Sequence, residues 1–383
     1  MQQQLLSHAV NLFKSDRPTD IALIQIWIPT LQHFAATSTP LKASPLACCA
    51  AWLARSDSNP ALIDFSRHLY SEGLREVRNA LRAPDAILED ETLGACLALA
   101  VFEVIECPDK CRAAYEWHRR ACVRLVQMRG AKAHRDGVGH ELFLAIRLHG
   151  IFYGFEQRRP NFLSTREWLT VPWELHPKDD LHALADILAR GPALLQKADT
   201  LALKPLSQSL PTLLTILSRL LDIDDDLAHF HHTLQTKHPG PLYWESATEP
   251  PNLHFPSPKL AALITLLWSL ETMVWSSLEG IHAGLAQTHS LPYLPPSPRT
   301  ERFTALAPQA HWQHAVRRIV RSVAYCLETT KSTAPPGIGV ALEIVIDVLR
   351  GKGEGAGGCV LELREAERAR EEMGRRWVAI LLN

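Results

Sequence analysis

Residues 90–104 read DETLGACLALAVFEV, and this stretch decides the fold class. Leu93, Leu97 and Val101 recur every four residues, a spacing that places side chains on one face of an α-helix. Asp90 precedes the run as a candidate N-cap, and Pro108 follows it, where a helix must end because proline has no backbone N–H to donate. The stretch therefore predicts a helix, and similar spacing recurs along most of the chain.

The two runs that follow are also helical in pattern. Residues 115–130 read YEWHRRACVRLVQMRG, with Trp117 and Met128 on one face and Gly130 at the end, where a helix often needs a residue that tolerates positive φ. Residues 141–157 form a third run. We expect Trp117 to be a core residue that packs on the preceding helix, so that Trp117→Ala would lower the free energy of unfolding by about 3–5 kcal/mol.

The composition is that of an ordinary globular protein. The chain has 383 residues, of which 46% are hydrophobic and 21% are charged, and its formal net charge is −1. This hydrophobic content excludes disorder as the main state. The near-zero net charge excludes a nucleic-acid binder that is held by bulk positive charge.

The cysteines and the apolar stretches bear on the location of the protein. None of the eight cysteines belongs to a CxxC pair, and the first residues show no basic start followed by an apolar run. We therefore expect reduced thiols and no secretion. The longest apolar stretch, Leu260–Leu278, is interrupted by Thr265, Ser269 and Glu271, so it predicts a buried core helix and no membrane span.

Three segments interrupt the helical pattern and predict loops. Residues 237–259 contain six prolines, residues 288–300 contain four, and residues 351–358 read GKGEGAGG. Residues 21–28 are β-branched and apolar, but no alternating partner strand accompanies them, so we interpret them as helical. The sequence thus predicts an all-α fold, a single large helical bundle over residues 1–383.

An acidic run suggests metal chemistry. Residues 220–232 read LLDIDDDLAHFHH, and on a helix Asp222, Asp225 and Asp226 share a face because they lie three and four residues apart. Clustered carboxylates can hold Mg²⁺ and orient a diphosphate, as in diphosphate-dependent terpene cyclases. The other interpretation, which we favour, is that these acids complement the positive end of a helix dipole.

Two further clusters have a simple structural interpretation beside a functional one. Asp225, His229 and His232 have a spacing that suits zinc, but a solvated helix face explains them as well. Arg158 and Arg159 follow a helical run, where they can contact an anion or complement the helix dipole. The sequence contains no GxSxG motif and no GxxxxGK[ST] loop, so we assign no catalytic residue, and a non-enzymatic role is favoured.

Six segments together resemble a known family. The helix that ends in Phe102-Glu103, the one that ends in Arg129-Gly130, and Arg159-Pro160 with Trp168 follow the order and spacing of the regulatory region of fungal-specific transcription factors of the binuclear zinc-cluster family. The later segments that resemble its core, later and closing helices are LLWSLETMVWSSLEGIHAGLAQ (266–287), RRIVRSVAYCLE (317–328) and RRWVAILL (375–382).

The resemblance implies an all-α regulatory region that receives signals and adjusts transcription. That family reads DNA through an N-terminal module of six cysteines, whereas the cysteines here are scattered, so we expect no zinc cluster, no other cofactor and no sequence-specific DNA binding by this chain alone. We expect a DNA-binding protein partner, a small-molecule effector, and residence in the nucleus or else the cytoplasm. The regulated genes would be those of a secondary-metabolite cluster.

The alternative hypothesis is an enzyme of secondary metabolism on the same helical scaffold. It would carry out Mg²⁺-dependent prenyl-diphosphate chemistry with the acids of residues 222–226, and Mg²⁺ is expected only in this case.

Overall fold

The computed structural model describes residues 41–56, 59–106, 112–202, 206–247, 251–309, 311–329, 336–353 and 359–382. The sequence-based interpretation of residues 21–28 lies outside this part of the chain. Helices dominate what is described, which confirms the all-α prediction. In chain order the elements are α1 Ala43–Ser56, α2 Pro60–Ala80, α3 Asp90–Glu106, α4 Arg112–Arg129, α5 Gly137–Gln157, α6 Arg166–Thr170, α7 Asp180–Leu188, α8 Gly191–Ala202, α9 Leu206–Lys237, β1 Trp244–Glu245, β2 Leu253–His254, α10 Pro258–Gln287, α11 Pro298–Leu306, α12 His311–Thr329, α13 Pro336–Lys352 and α14 Val360–Leu382.

The chain groups into two compact units. Unit 1 consists of the residues up to Gln157, Asn161–Lys178 and Arg375–Asn383. Unit 2 consists of Arg158–Pro160 and Asp179–Gly374. The assignment of a single domain to residues 1–383 stays a prediction.

Unit 1 is built from α1 to α6, each packed against a neighbour along the chain. α1 packs against α2 and α3, α3 against α4, and α4 against α5. Gly73 on α2 allows the first of these contacts to be close, since a Cβ atom there would lie 2.5 Å from the Ser44 Oγ and 2.9 Å from the Ser44 backbone N. Leu46, Leu93 and Phe143 are among the fully buried side chains of this unit.

The start of α5 rests on an aromatic cluster. Trp168 on α6 is 5% exposed, and its ring centroid lies 4.6 Å from that of Phe162, 5.7 Å from that of Phe143 and 5.8 Å from that of His134. The His134 Nδ1 lies 2.8 Å from the carbonyl oxygen of Gly139. Burial lowers the pKa of His134 to about 4, so the ring is neutral at pH 7 and belongs to the core.

The prediction that Trp117 is a core residue is wrong, because α4 turns another face inward. Its buried stripe runs through Arg119, Cys122 and Val126, and Trp117 is 70% exposed. At 3.6 residues per turn, Trp117 lies about 160° around the helix from Arg119. Trp117→Ala is therefore not expected to cost about 3–5 kcal/mol, because that range applies to buried aromatic side chains.

The ends of α3 and α4 are close to the positions predicted from the sequence. α3 begins at Asp90 itself, one residue earlier than an N-cap assignment implies, and the Asp90 carboxylate accepts a hydrogen bond from Arg129 at the end of α4. Gly130 follows α4 with a φ of +76°, which confirms the predicted positive φ.

Unit 2 is organised around α10. This helix packs against α9, α11, α12 and α13. The Ser257 Oγ accepts a hydrogen bond from the Leu260 N–H and so caps its first turn. By length and composition alone α10 is apolar enough to cross a membrane, but 72% of that apolar stretch is buried inside the protein. The prediction of a buried core helix over Leu260–Leu278 is confirmed.

The described residues of the proline-rich segment 237–259, which exclude 248–250, are more ordered than predicted. Its strands β1 and β2 form a two-stranded antiparallel sheet in which Trp244 pairs with His254 and Glu245 with Leu253. Leu253 and Phe255 are buried, so these two apolar side chains anchor β2 and the residue after it in the core. In the second proline-rich segment only a short 3₁₀ turn forms before α11 begins. In the glycine-rich segment, residues 354–358 lie outside the described part of the chain.

Candidate functional site

The acidic run lies in the middle of α9, where each aspartate meets an arginine from a distant part of the chain. Asp222 lies 2.9 Å from an Arg299 nitrogen. Asp226 accepts a hydrogen bond of 2.5 Å from Arg190, which lies between α7 and α8. These arginines balance much of the acidic charge before any metal ion is considered.

Arg302 on α11 holds the other two acids at once. Its two terminal nitrogens donate hydrogen bonds of 2.6 Å, one to the Asp224 Oδ2 and one to the Asp225 Oδ1. The Asp224 side chain is 14% exposed, and its Oδ1 also accepts a hydrogen bond of 2.8 Å from the Trp275 Nε1. Asp224, which belongs to the predicted acidic run but not to the shared face of Asp222, Asp225 and Asp226, is thus the aspartate that ties α9 to both α10 and α11.

The arginine contacts of the acidic run affect whether its carboxylates can hold a Mg²⁺ ion. Asp222, Asp225 and Asp226 do lie on one helix, but each has a different arginine as its partner. Within the described residues no group of three His, Cys, Asp or Glu side chains is arranged to hold a metal ion. A Mg²⁺ ion at this place would have to displace arginine contacts, and its role there stays a prediction. His229 and His232 on the same helix lie exposed, as a solvated face implies.

We predict that the Arg302 contacts are structural. Arg302→Gln is expected to lower the free energy of unfolding by about 1–3 kcal/mol, since it leaves the half-buried Asp224 carboxylate without its charged donor. Arg219→Gln is the matched control, because the Arg219 side chain is 67% exposed and its guanidinium lies 3.7 Å from Asp222. The control should change stability by less than about 0.5 kcal/mol. Equal losses in urea denaturation of the two variants would contradict the structural role.

A buried carboxyl group lies next to this acidic segment. Glu271 on α10 is 7% exposed and forms no hydrogen bond with the described residues. Burial raises its pKa to about 7, and the negative charge of Asp224 adds to the rise while the positive charge of Arg318 opposes it. In the sequence, Glu271 stands out only as an interruption of an apolar stretch, and that interruption is the signal that marks it.

Two further polar groups accompany Glu271. The Arg318 guanidinium on α12 lies 5.8 Å from the ring centroid of Trp268, one turn before Glu271 on α10. The Trp268 indole is fully buried, and its Nε1 has no acceptor within the part of the chain that the structure describes. Arg318 has no carboxylate within 4 Å among those same residues. We call Trp268, Glu271 and Arg318 the Glu271 cluster.

The Glu271 cluster combines hydrogen-bond donors with a group that can also accept a hydrogen bond. Trp268 and Arg318 are hydrogen-bond donors, and Glu271 can accept or, when protonated, donate. Buried polar groups nearly always have partners, so the buried Trp268 and Glu271 beside the half-buried Arg318 suit contact with a polar group from outside the fold. Burial and the charge of Arg318 also lower the pKa of His231 on α9.

The two arginines that were predicted to contact an anion, Arg158 and Arg159, have different surroundings. The Arg158 guanidinium donates three hydrogen bonds of 2.6–3.0 Å to the Asp199 carboxylate on α8, so its anion is a side chain of this protein. This contact lowers the pKa of Asp199. Arg159 is exposed, and an anion contact for it stays a prediction.

Buried thiols account for the cysteines that the structure describes. Burial raises the pKa of Cys49, Cys96 and Cys326 to about 12. A cysteine binds zinc as a thiolate, so these protonated sulfurs are poor ligands. The six described cysteines are all buried, and they are Cys48 and Cys49 on α1, Cys96 on α3, Cys122 on α4, Cys326 on α12 and Cys359 before α14.

Comparison with known proteins supports the resemblance seen in the sequence. A family model described as the fungal specific transcription factor domain matches residues 26–328. An uncharacterized protein of Emericella nidulans is 30% identical over 135 residues, which is 35% of this chain and 28% of that relative. The chain therefore covers less than a third of the relative's length. No solved structure matches the chain.

Proposed function

The chain belongs to the fungal-specific transcription factor domain family, and from this premise we propose that it is a regulatory module that adjusts transcription through a protein partner or a small-molecule effector. The match over residues 26–328 is the observation that carries the proposal, because it spans both helical units. Proteins of unrelated activity can share a helical scaffold, so the role of this module must be tested on the protein itself.

Two features of the molecule support the regulatory role over the enzymatic alternative. The aspartates that a metal-dependent enzyme would use are bound to arginines. The Glu271 cluster offers buried polar groups in a helical core, which is where helical bundles hold small ligands. We propose that a small-molecule effector contacts this cluster.

We also propose how the module relates to DNA, where it acts and which genes it regulates. The sequence contains no paired-cysteine zinc cluster, so we propose that a partner protein reads the DNA and that this chain modulates it in the nucleus. We propose a secondary-metabolite gene cluster as the target, and no metal ion or other cofactor as part of the module.

Gene deletion with transcript profiling and metabolite analysis of the same cultures tests the proposal. We expect a set of genes to change expression together and wild-type protein to restore it. Steady transcripts with one accumulating intermediate would overturn the regulatory role and favour the enzyme. The Asp225→Asn, Asp226→Asn double variant also distinguishes the regulatory role from the enzymatic one. It should restore transcription fully if these acids hold no metal.

Complementation with Glu271→Gln addresses the effector. This change removes the carboxylate but keeps the shape of the side chain, and we expect a regulator that folds but no longer responds normally. Glu343→Gln, at a side chain that is 55% exposed, is the matched control and should behave as wild type. A normal response of Glu271→Gln would exclude the cluster as the effector contact.

A further inference from the structure

The exposed face of α4 in unit 1 carries an unusual set of side chains. Trp117 is 70% exposed and Met128 is 48% exposed. Arg120 and Arg124 lie between them on the same side of the helix, three and seven residues after Trp117. We call Trp117, Arg120, Arg124 and Met128 the Trp117 face. At 1.5 Å per residue it extends for about 16 Å along the helix.

The Trp117 face is ordered by stacking. The Arg120 guanidinium carbon lies 5.8 Å from the ring centroid of Trp117 and 5.2 Å from that of Tyr153 on α5. The Arg120 Nε is buried and has no hydrogen-bond acceptor within the described part of the chain. Holding a large aromatic side chain in place before contact reduces the entropy that binding must overcome.

The positive charge of this face is unbalanced. The Arg124 Nη1 donates a hydrogen bond of 2.8 Å to the amide oxygen of Gln127, which is neutral. Neither Arg120 nor Arg124 has a carboxylate within 4 Å among the residues that the structure describes. Glu116 on α4 and Glu156 on α5 do not form ion pairs with these two arginines, because both carboxylates accept hydrogen bonds from the buried Arg119.

We propose that the Trp117 face is a docking surface for an acidic, amphipathic segment of a partner protein. Trp, Tyr, Arg and Met are the residue types enriched at protein interfaces, and Trp, Tyr and Arg dominate their binding energy. Apolar side chains of the segment would pack on Trp117 and Met128, and its carboxylates would pair with Arg120 and Arg124. The surface stands on its own geometry, while its regulatory meaning rests on the proposed function.

Site-specific photo-crosslinking in the full-length chain tests the proposal. Benzoylphenylalanine is placed at position 117, and position 244 is the matched control, because Trp244 is a 46% exposed tryptophan of unit 2. We expect a crosslink specific to position 117 that maps to an acidic, amphipathic segment of another protein. A crosslink to nucleic acid, to a second copy of this chain or to a basic segment would overturn the proposal, as would no specific crosslink.

The mapped segment, made as a labelled synthetic peptide, is then titrated with purified protein by fluorescence anisotropy. We expect Trp117→Ala and Arg124→Glu each to weaken binding more than tenfold, Trp244→Ala to leave it unchanged, and added salt to weaken binding to wild type. Unaltered thermal unfolding shows that the variants are folded. Equal affinity of Trp117→Ala and wild type would overturn the docking surface.

The two proposals fail in different ways. If Trp117→Ala loses the peptide while gene deletion leaves transcripts unchanged, the docking surface holds and the regulatory function does not. If deletion changes transcripts but Trp117→Ala and Arg124→Glu restore them fully, the regulatory function holds without this surface.

Discussion

Trp168→Ala is expected to lower the free energy of unfolding by about 3–5 kcal/mol, the range for removing a large buried aromatic side chain. Trp168 is 5% exposed and packs with three other rings, those of His134, Phe143 and Phe162. Without the indole, the short helix α6 loses its anchor and the start of α5 loses part of its support. Urea denaturation followed by far-UV circular dichroism measures the loss.

Trp117→Ala is the matched control, since it makes the same change in the same unit at a side chain that is 70% exposed. We expect it to change stability by less than about 1 kcal/mol. A loss from Trp168→Ala no larger than that of the control would mean that Trp168 is not a core residue.

Glu271→Gln is expected to stabilise the protein at pH 8 by about 3 kcal/mol, and to leave its stability at pH 4 nearly unchanged. The pKa of Glu271 is raised from its ordinary value of 4.5 to about 7. Below pH 4.5 the carboxyl group is protonated in both the folded and the unfolded chain, so it costs nothing. Between pH 4.5 and 7 the unfolded chain releases the proton more readily, and wild-type stability falls as pH rises. Each unit of pKa shift corresponds to about 1.4 kcal/mol.

Denaturation of wild type and Glu271→Gln across pH 4–8 tests this expectation. The difference between the two proteins should grow from pH 4.5 to pH 7 and then level off. Glu343→Gln should follow the wild-type profile at every pH. A difference that stays constant with pH would show that Glu271 titrates near its ordinary pKa.

The helices of this protein follow from local sequence, but the faces that they bury do not. The positive φ of Gly130 was predicted correctly, because the backbone conformation at a helix end depends on the local sequence. On α4, Trp117 and Met128 form one apolar stripe, while Cys122 and Val126 belong to another. Helical periodicity supports both stripes equally, and only the neighbouring helices α3 and α5 decide which one is buried.

The site residues show the same limit over longer distances. Asp224 and Asp225 were visible as an acidic run, but their partner Arg302 lies 78 and 77 residues away, respectively, where spacing carries no information. The pairing of β1 with β2 was missed for a similar reason, since proline-rich sequence gives no register signal. Glu271 was visible as a charge within an apolar stretch, and only the packed helices show that it stays there nearly without solvent.

The reactivity of the buried thiols reports the local opening of the helices around them. Thiolates, not thiols, react with alkylating reagents, so a sulfur of this kind reacts when its helix parts from the core and water reaches it. Cys96 and Cys122 would report on unit 1, and Cys326 and Cys359 on unit 2. Mass spectrometry of timed alkylation can therefore rank the helices by the free energy of their separate opening, with no engineered probe in the chain.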